Sequence, residues 1–190
     1  MDNRQEPERG WTRRTFLRAA LIGAAFVGGR MIVPPALFAR DLPEGRLTLV
    51  HLWTDERLDV TYRNDAGEYD WDALDDVNHI LRCHVTGEIA AMDVRVIEHV
   101  NLVHKRLGGD REIQIVSGFR SPEYNAKLVR SGRRAARHSL HMQGQAIDLR
   151  IAGVHPKVIR QAALELEYGG VGYYPRSKFV HLDSGPFSHW

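Results

Sequence analysis

Two short stretches constrain this 190-residue chain more than any others: SLHMQGQAIDL at residues 139–149 and FVHLD at residues 179–183. The first sets His141 seven residues before Asp148, with Gly144 between them to let a loop turn tightly into a strand. The second places His181 and Asp183 two residues apart, so on a strand both side chains share a face. Alternation likewise puts Asp148 on the same face as Ala146, a small neighbour that leaves room for an ion. Two imidazoles and one carboxylate are ligands that zinc accepts, and three protein ligands leave a tetrahedral ion one open position. A closed structural zinc site is normally richer in cysteine, and Cys83 is the single cysteine of the chain.

Plainer readings fit the same residue types. Asp148 taken alone serves equally well as a cap or a salt-bridge partner. The chain has ten histidines, and His51, His79, His84, His99, His104 and His155 read as surface or core residues. His138, next to the motif, reads as a solvated loop residue or a donor behind the ligands. Ser139 is no nucleophile on this pattern, because no Gly-x-Ser-x-Gly elbow surrounds it. Cys83 reads as an inert core thiol.

The first 39 residues read as a targeting segment. Thr12-Arg13-Arg14-Thr15-Phe16-Leu17-Arg18 matches the twin-arginine export pattern, and the apolar run Ala19 to Val27 follows it, too short to span a bilayer alone. Cleavage after Ala39 is plausible, Leu37 is a poor minus-three residue, and retention as an anchor stays open. This segment holds six of the 26 basic residues and three of the 24 acidic ones, which leaves residues 40–190 at a net charge of −1. Such a balance gives no reason to expect nucleic-acid binding. One cysteine cannot form an internal disulfide, so the fold must rest on its core. A periplasmic monomer with one domain over residues 40–190 is expected, touching the membrane only through an uncleaved leader.

Along that domain, Leu47–Trp53 and Leu58–Tyr62 read as a hairpin. Asp70 caps a helix from Trp71 to Arg82, and a second helix runs from Ala90 to Leu107, where Gly108-Gly109 stops it. Ile113–Val116 is a buried strand, and Ser121-Pro122 opens a further helix. Gln145–Ile151, Gly170–Tyr174 and Lys178–Asp183 read as strands, with a helix at His155–Leu166 between the first two. The class is α+β, with every candidate ligand in the C-terminal half. A basic loop with Lys127, Arg130, Arg133, Arg134 and Arg137 leads into His141, as a solvated face or an attractor of substrate carboxylates. Tyr173 and Tyr174 suit either a cleft wall or the core.

Three motifs in order, SGFRSPEYNAKL, SLHMQGQAIDL and GGVGYYPRSKFVHLDSGPFSHW, resemble the YcbK-like murein endopeptidases. That family sits within the wider D-Ala-D-Ala-peptidase and hedgehog-type zinc fold, and the resemblance covers about residues 45–190. It implies zinc ligands at His141, Asp148 and His181. It also implies a small antiparallel sheet flanked by helices with an open zinc cleft, and places Arg120 of SGFR at the scissile carbonyl or the substrate. A guanidinium suits that task because it is always charged, although a salt bridge closing the turn would also use it.

One position departs from the wider group. Many of its members carry an acidic general base two or three residues before the last histidine, where this chain has Lys178, Phe179 and Val180. Asp183 is the substitute expected here, either as that base or as the residue orienting His181. Glu165, Glu167 and His189 are alternatives. The expected activity is zinc-dependent hydrolysis of peptide cross-links in peptidoglycan. A D,D-carboxypeptidase and a non-catalytic, zinc-stabilised wall-binding module are the rivals.

Overall fold

Local signals along the chain place the elements, and the computed structural model describes them over residues 42–132 and 135–190. The twin-arginine segment lies outside the described residues, as do Arg133 and Arg134 of the basic loop. Strands β1 (Gly45–His51) and β2 (Arg57–Arg63) form the expected hairpin. Helix α1 (Trp71–Ile80) starts where Asp70 accepts from the amides of Asp72 and Ala73 at 3.1 and 3.2 Å, a cap of about 1 kcal/mol. Helix α2 spans Val94–Arg106, four residues shorter at its start than expected. Asp93 takes the cap there by accepting from the Arg95 amide at 2.9 Å, so Ala90 to Met92 stay outside the helix.

Strand β3 (Ile113–Ser117) leads into α3 (Pro122–Arg130), capped by Ser121 with proline in its first turn as the sequence implied. A one-turn 3-10 helix (Leu140–Gln143) then delivers the chain to β4 (Ala146–Ile151). Helix α4 (Pro156–Leu164), β5 (Gly170–Tyr174), β6 (Phe179–Asp183) and a two-residue β7 (Ser188–His189) complete the order.

The strands form one seven-stranded sheet in the order β2-β1-β3-β4-β6-β5-β7. The α+β class holds, but the sheet is mixed rather than antiparallel. β1 pairs with β3 in parallel, as does β5 with β7. The cause is topological: after β2 the chain passes through two helices, α1 and α2, and re-enters at the end of the sheet where β2 finished, so β3 runs opposite to β2 and parallel to its neighbour β1.

Alternation divides the sheet into two chemistries. Ile147, Leu149, Val171, Val180 and Leu182 point to the face covered by α2 and α4, which contribute Val96, Ile97, Val100, Ile159 and Ala163 to the core. The opposite face of β4 and β6 carries Asp148, His181 and Asp183, all buried. The site therefore sits on the sheet face away from the hydrophobic core. Near the other edge, Arg63 and Glu98 pair at 2.7 Å with both side chains almost fully buried, and the Tyr69 hydroxyl donates to Glu98 at 3.2 Å.

Candidate metal centre

Strand register assembles the ligand group. Asp148 on β4 lies directly opposite His181 on β6, and directly opposed residues of an antiparallel pair project to one side. His141 arrives from the 3-10 helix, whose last residue is followed by Gly144 in the left-handed conformation, φ 66°. A side chain there would also meet the Ala91 carbonyl oxygen at 2.4 Å, so the turn into β4 requires glycine. The result is a triangle of donor atoms. His141 Nε2 and His181 Nδ1 are 3.2 Å apart, and they lie 3.2 and 2.8 Å from Asp148 Oδ1. It is the one His/Asp group among the described residues with the compactness to hold a metal ion.

Each ligand is oriented from behind. His141 Nδ1 donates to the Gly118 carbonyl at 2.7 Å, which leaves the Nε2 lone pair facing the triangle. The other side of the His181 ring, Nε2, is 3.2 Å from Asp183 Oδ2, leaving Nδ1 for the triangle. Hydrogen-bonded far nitrogens of this kind fix tautomer and ring orientation in metal sites. Asp183 is itself anchored, because its Oδ1 accepts from the amides of Gly170 at 3.0 Å and Gly185 at 2.8 Å. A Cβ on Gly170 would fall 2.2 Å from the Asp183 carboxylate, so this residue must be glycine for the acid to sit there.

Arg120 holds the remaining oxygen of Asp148. Its Nη2 pairs with Asp148 Oδ2, and its Nε donates to Ser117 Oγ at 2.9 Å. A register shift between Ile115 and Ser117 brings Ser117 opposite Asp148 and makes this contact possible.

Electrostatics follows from the crowding. Burial disfavours the charge of Asp148, but His141 and His181 hold it ionised far below the usual carboxylate range. Burial also pushes the His141 imidazole down, so it stays neutral and keeps its lone pair. For His181 burial acts in the same downward sense, yet its bonds to Asp148 and Asp183 overcome it and hold the imidazolium up to about 9. A cation entering the triangle therefore competes with a proton on His181.

A pocket opens over the group, with Arg120, His138, Ser139, Tyr174, Phe179 and Trp190 among its lining. The two tyrosines divide by alternation. Tyr174 lines the pocket, while Tyr173 packs on the core with the Arg160 guanidinium 5.8 Å from its ring centre. Other sequence candidates lie elsewhere. Glu165 pairs with Arg106 on an exposed surface, Glu167 is exposed, and His189 on β7 is exposed with its ring tilted 6.3 Å from that of Phe187. Ser139 starts the 3-10 helix without a side-chain capping bond. Cys83 is buried, with Sγ 3.6 Å from Ser121 Oγ.

Sequence reasoning missed the Gly118 carbonyl, Ser117 and Trp190. The first is a backbone group with no side-chain signature. Trp190 ends the third motif, but its spacing from His181 marks no role, and it is pairing with β5 that brings it to the site.

The donor set fits zinc chemistry. Ligand atoms about 2.0–2.1 Å from a tetrahedral zinc stand about 3.3 Å from one another, close to the triangle observed. Two imidazoles and one carboxylate, with a pocket over them and an arginine alongside, form a group that could hold a catalytic metal ion, as a metal-dependent hydrolase requires. The chain belongs to the family described as peptidoglycan L,D-endopeptidase MepK, whose model matches residues 42–190.

The peptidoglycan L,D-endopeptidase MepK of Escherichia coli K12 is 36% identical over 170 residues, covering 89% of this chain and 93% of that protein. The protein of the same name from Shigella flexneri gives the same values. A probable peptidoglycan L,D-endopeptidase MepK from Haemophilus influenzae is 34% identical over 165 residues, 85% of this chain and 88% of its own length.

Proposed function

We propose that this protein is a zinc-dependent peptidoglycan endopeptidase, acting outside the cytoplasm on L,D peptide cross-links, with His141, Asp148 and His181 as its metal ligands. The observation that carries the reading is the donor triangle with both imidazoles tied at their far nitrogens, in a chain whose relatives are named for this activity. Zinc, when bound, supplies Lewis acidity toward a carbonyl and acidifies water near neutral pH.

The protein's own residues do the rest. Arg120, fixed by Asp148 and Ser117, retains guanidinium N–H groups for the scissile carbonyl and meets its developing negative charge. Asp183 spends its carboxylate on His181 and on two backbone amides, and these contacts favour the orienting role over the proton-transfer role. It acts on the reaction through His181. The twin-arginine segment over residues 1–39, ahead of a catalytic domain over residues 40–190, fits a polymer located beyond the inner membrane.

Sacculi incubated with the purified protein should release muropeptides, and a chelator should stop the release. Binding to sacculi with no release at any metal loading would support the non-catalytic module instead. Shortening of monomeric stems with cross-linked dimers left intact would support the carboxypeptidase.

A further inference from the structure

We propose that the Tyr174 hydroxyl is a hydrogen-bond donor to a carbonyl oxygen of the bound stem peptide, aimed by the Trp190 indole, on the side of the metal group away from Arg120. The proposal rests on the peptidase reading above for the identity of the ligand.

Strand order sets the positions. Arg120 follows β3, Asp148 is on β4, His181 on β6 and Tyr174 on β5, and these four strands are neighbours in that order. Gly172 of β5 lies opposite His181, and Tyr174 is two residues further on the same face. Arg120 and Tyr174 thus flank the ligand group from opposite sides, and both line the pocket.

The aim comes from Trp190. Its backbone is tied to β5 at both ends, with the Tyr173 amide donating to the Trp190 carbonyl at 3.0 Å and the Trp190 amide donating to the Val171 carbonyl at 3.2 Å. Its indole lies over Gly172, where an added Cβ would come within 2.9 Å of the ring, and its centre is 5.4 Å from that of the His181 ring. Indole Nε1 then donates to the Tyr174 hydroxyl oxygen at 3.1 Å. An indole N–H can only donate, so the phenol oxygen is the acceptor and its own proton must point elsewhere. Among the described residues it has no acceptor within hydrogen-bond distance. The Tyr174 ring cannot swing away, because it stacks on Phe179 at 4.5 Å and 17°.

Trp190 is held by these contacts yet remains 53% exposed. A large apolar ring fixed at a pocket rim, presenting an aimed O–H beside a peptidase site, suits the one polar group that every peptide substrate repeats, its carbonyl oxygen.

The test uses the full zinc-loaded protein with Tyr174→Phe, which keeps the stack on Phe179, and Trp190→Phe, which keeps a ring over Gly172 but loses the N–H. On a purified cross-linked muropeptide dimer, Tyr174→Phe should lower kcat/KM about tenfold, with metal content and melting temperature unchanged. Trp190→Phe should cost about threefold alone and nothing further in the Tyr174→Phe background, as a residue acting through another does. An independent reading is the affinity for an uncleaved tetrapeptide stem, expected to weaken about fivefold in Tyr174→Phe.

Wild-type kcat/KM and stem affinity in Tyr174→Phe would overturn the proposal. An equal cost of Trp190→Phe in both backgrounds would overturn the aiming role. Wild-type protein that binds the stem and cuts no dimer would remove the endopeptidase reading, and the affinity comparison would still decide the case of Tyr174.

Discussion

At the residue scale the site is governed by what stands behind the ligands. His141 presents Nε2 because Gly118 takes Nδ1, and His181 presents Nδ1 because Asp183 faces Nε2. The three side chains of the triangle were legible as candidates, since His141, Asp148 and His181 stand in two recognisable motifs, although spacing alone left Asp148 equally open to a cap or a salt bridge. The Gly118 carbonyl was not legible, because any residue supplies one.

The role of Asp183 is open to a direct check. Asp183→Asn should weaken metal affinity about 10- to 100-fold, and activity should return at saturating metal. Turnover that stays low when the site is fully loaded would assign Asp183 to proton transfer.

A second prediction concerns pH. The imidazolium of His181 is held up to about 9 in the folded protein, above its ordinary range. Its contribution to the stability of the protein without bound metal is therefore complete below about pH 6.5 and fades as pH rises through 9. Metal must displace that proton. Apparent zinc affinity should thus climb about tenfold per pH unit over this range, and calorimetry at pH 7.5 in two buffers should show about one proton released per ion. No proton release would mean that His181 is already neutral.

At the element scale, helices and strands follow their local signals, and the departures have local causes. Helix α2 begins late because Asp93 is a better cap than the residues before it. That acid is also tied to the end of β6 by the Ser184 hydroxyl at 2.9 Å. The two close turns of the site depend on glycine for different reasons. Gly144 adopts φ 66° against the Ala91 carbonyl, so Gly144→Ala should lose at least about 1–2 kcal/mol from the left-handed backbone alone, read by urea unfolding. Gly170 instead leaves room for a carboxylate. Gly170→Ala should displace Asp183 and lower zinc affinity while the ordinary backbone of β5 keeps its pairing. Unchanged zinc binding in that variant would mean that the acid tolerates movement.

At the scale of the whole molecule, the sequence showed six of the seven strands, missing the two-residue β7, and did not show their order. The β1–β3 pairing joins segments 50 residues and more apart through two helices, and no local pattern records which edge a returning strand takes. The buried Arg63–Glu98 pair was hidden for a similar reason: its members stand on β2 and α2, and neither lies in a motif. Glu98→Ala leaves a buried guanidinium without its partner and should cost about 3–5 kcal/mol, visible as a lower urea midpoint. A smaller loss would show that Pro43, whose carbonyl accepts from Arg63 Nη2 at 2.6 Å, suffices to satisfy the charge.

The central claim joins one metal triangle to one bond type. Its most direct test is a digest of muropeptide dimers joined through an L-to-D amide, by protein carrying one zinc per chain and by His181→Ala in parallel. The wild-type protein should convert dimer to monomers, lose that activity to a chelator and regain it with zinc, while His181→Ala should neither retain the ion nor cut. Cleavage at the wild-type rate by His181→Ala, or by the chelated protein, would contradict the account.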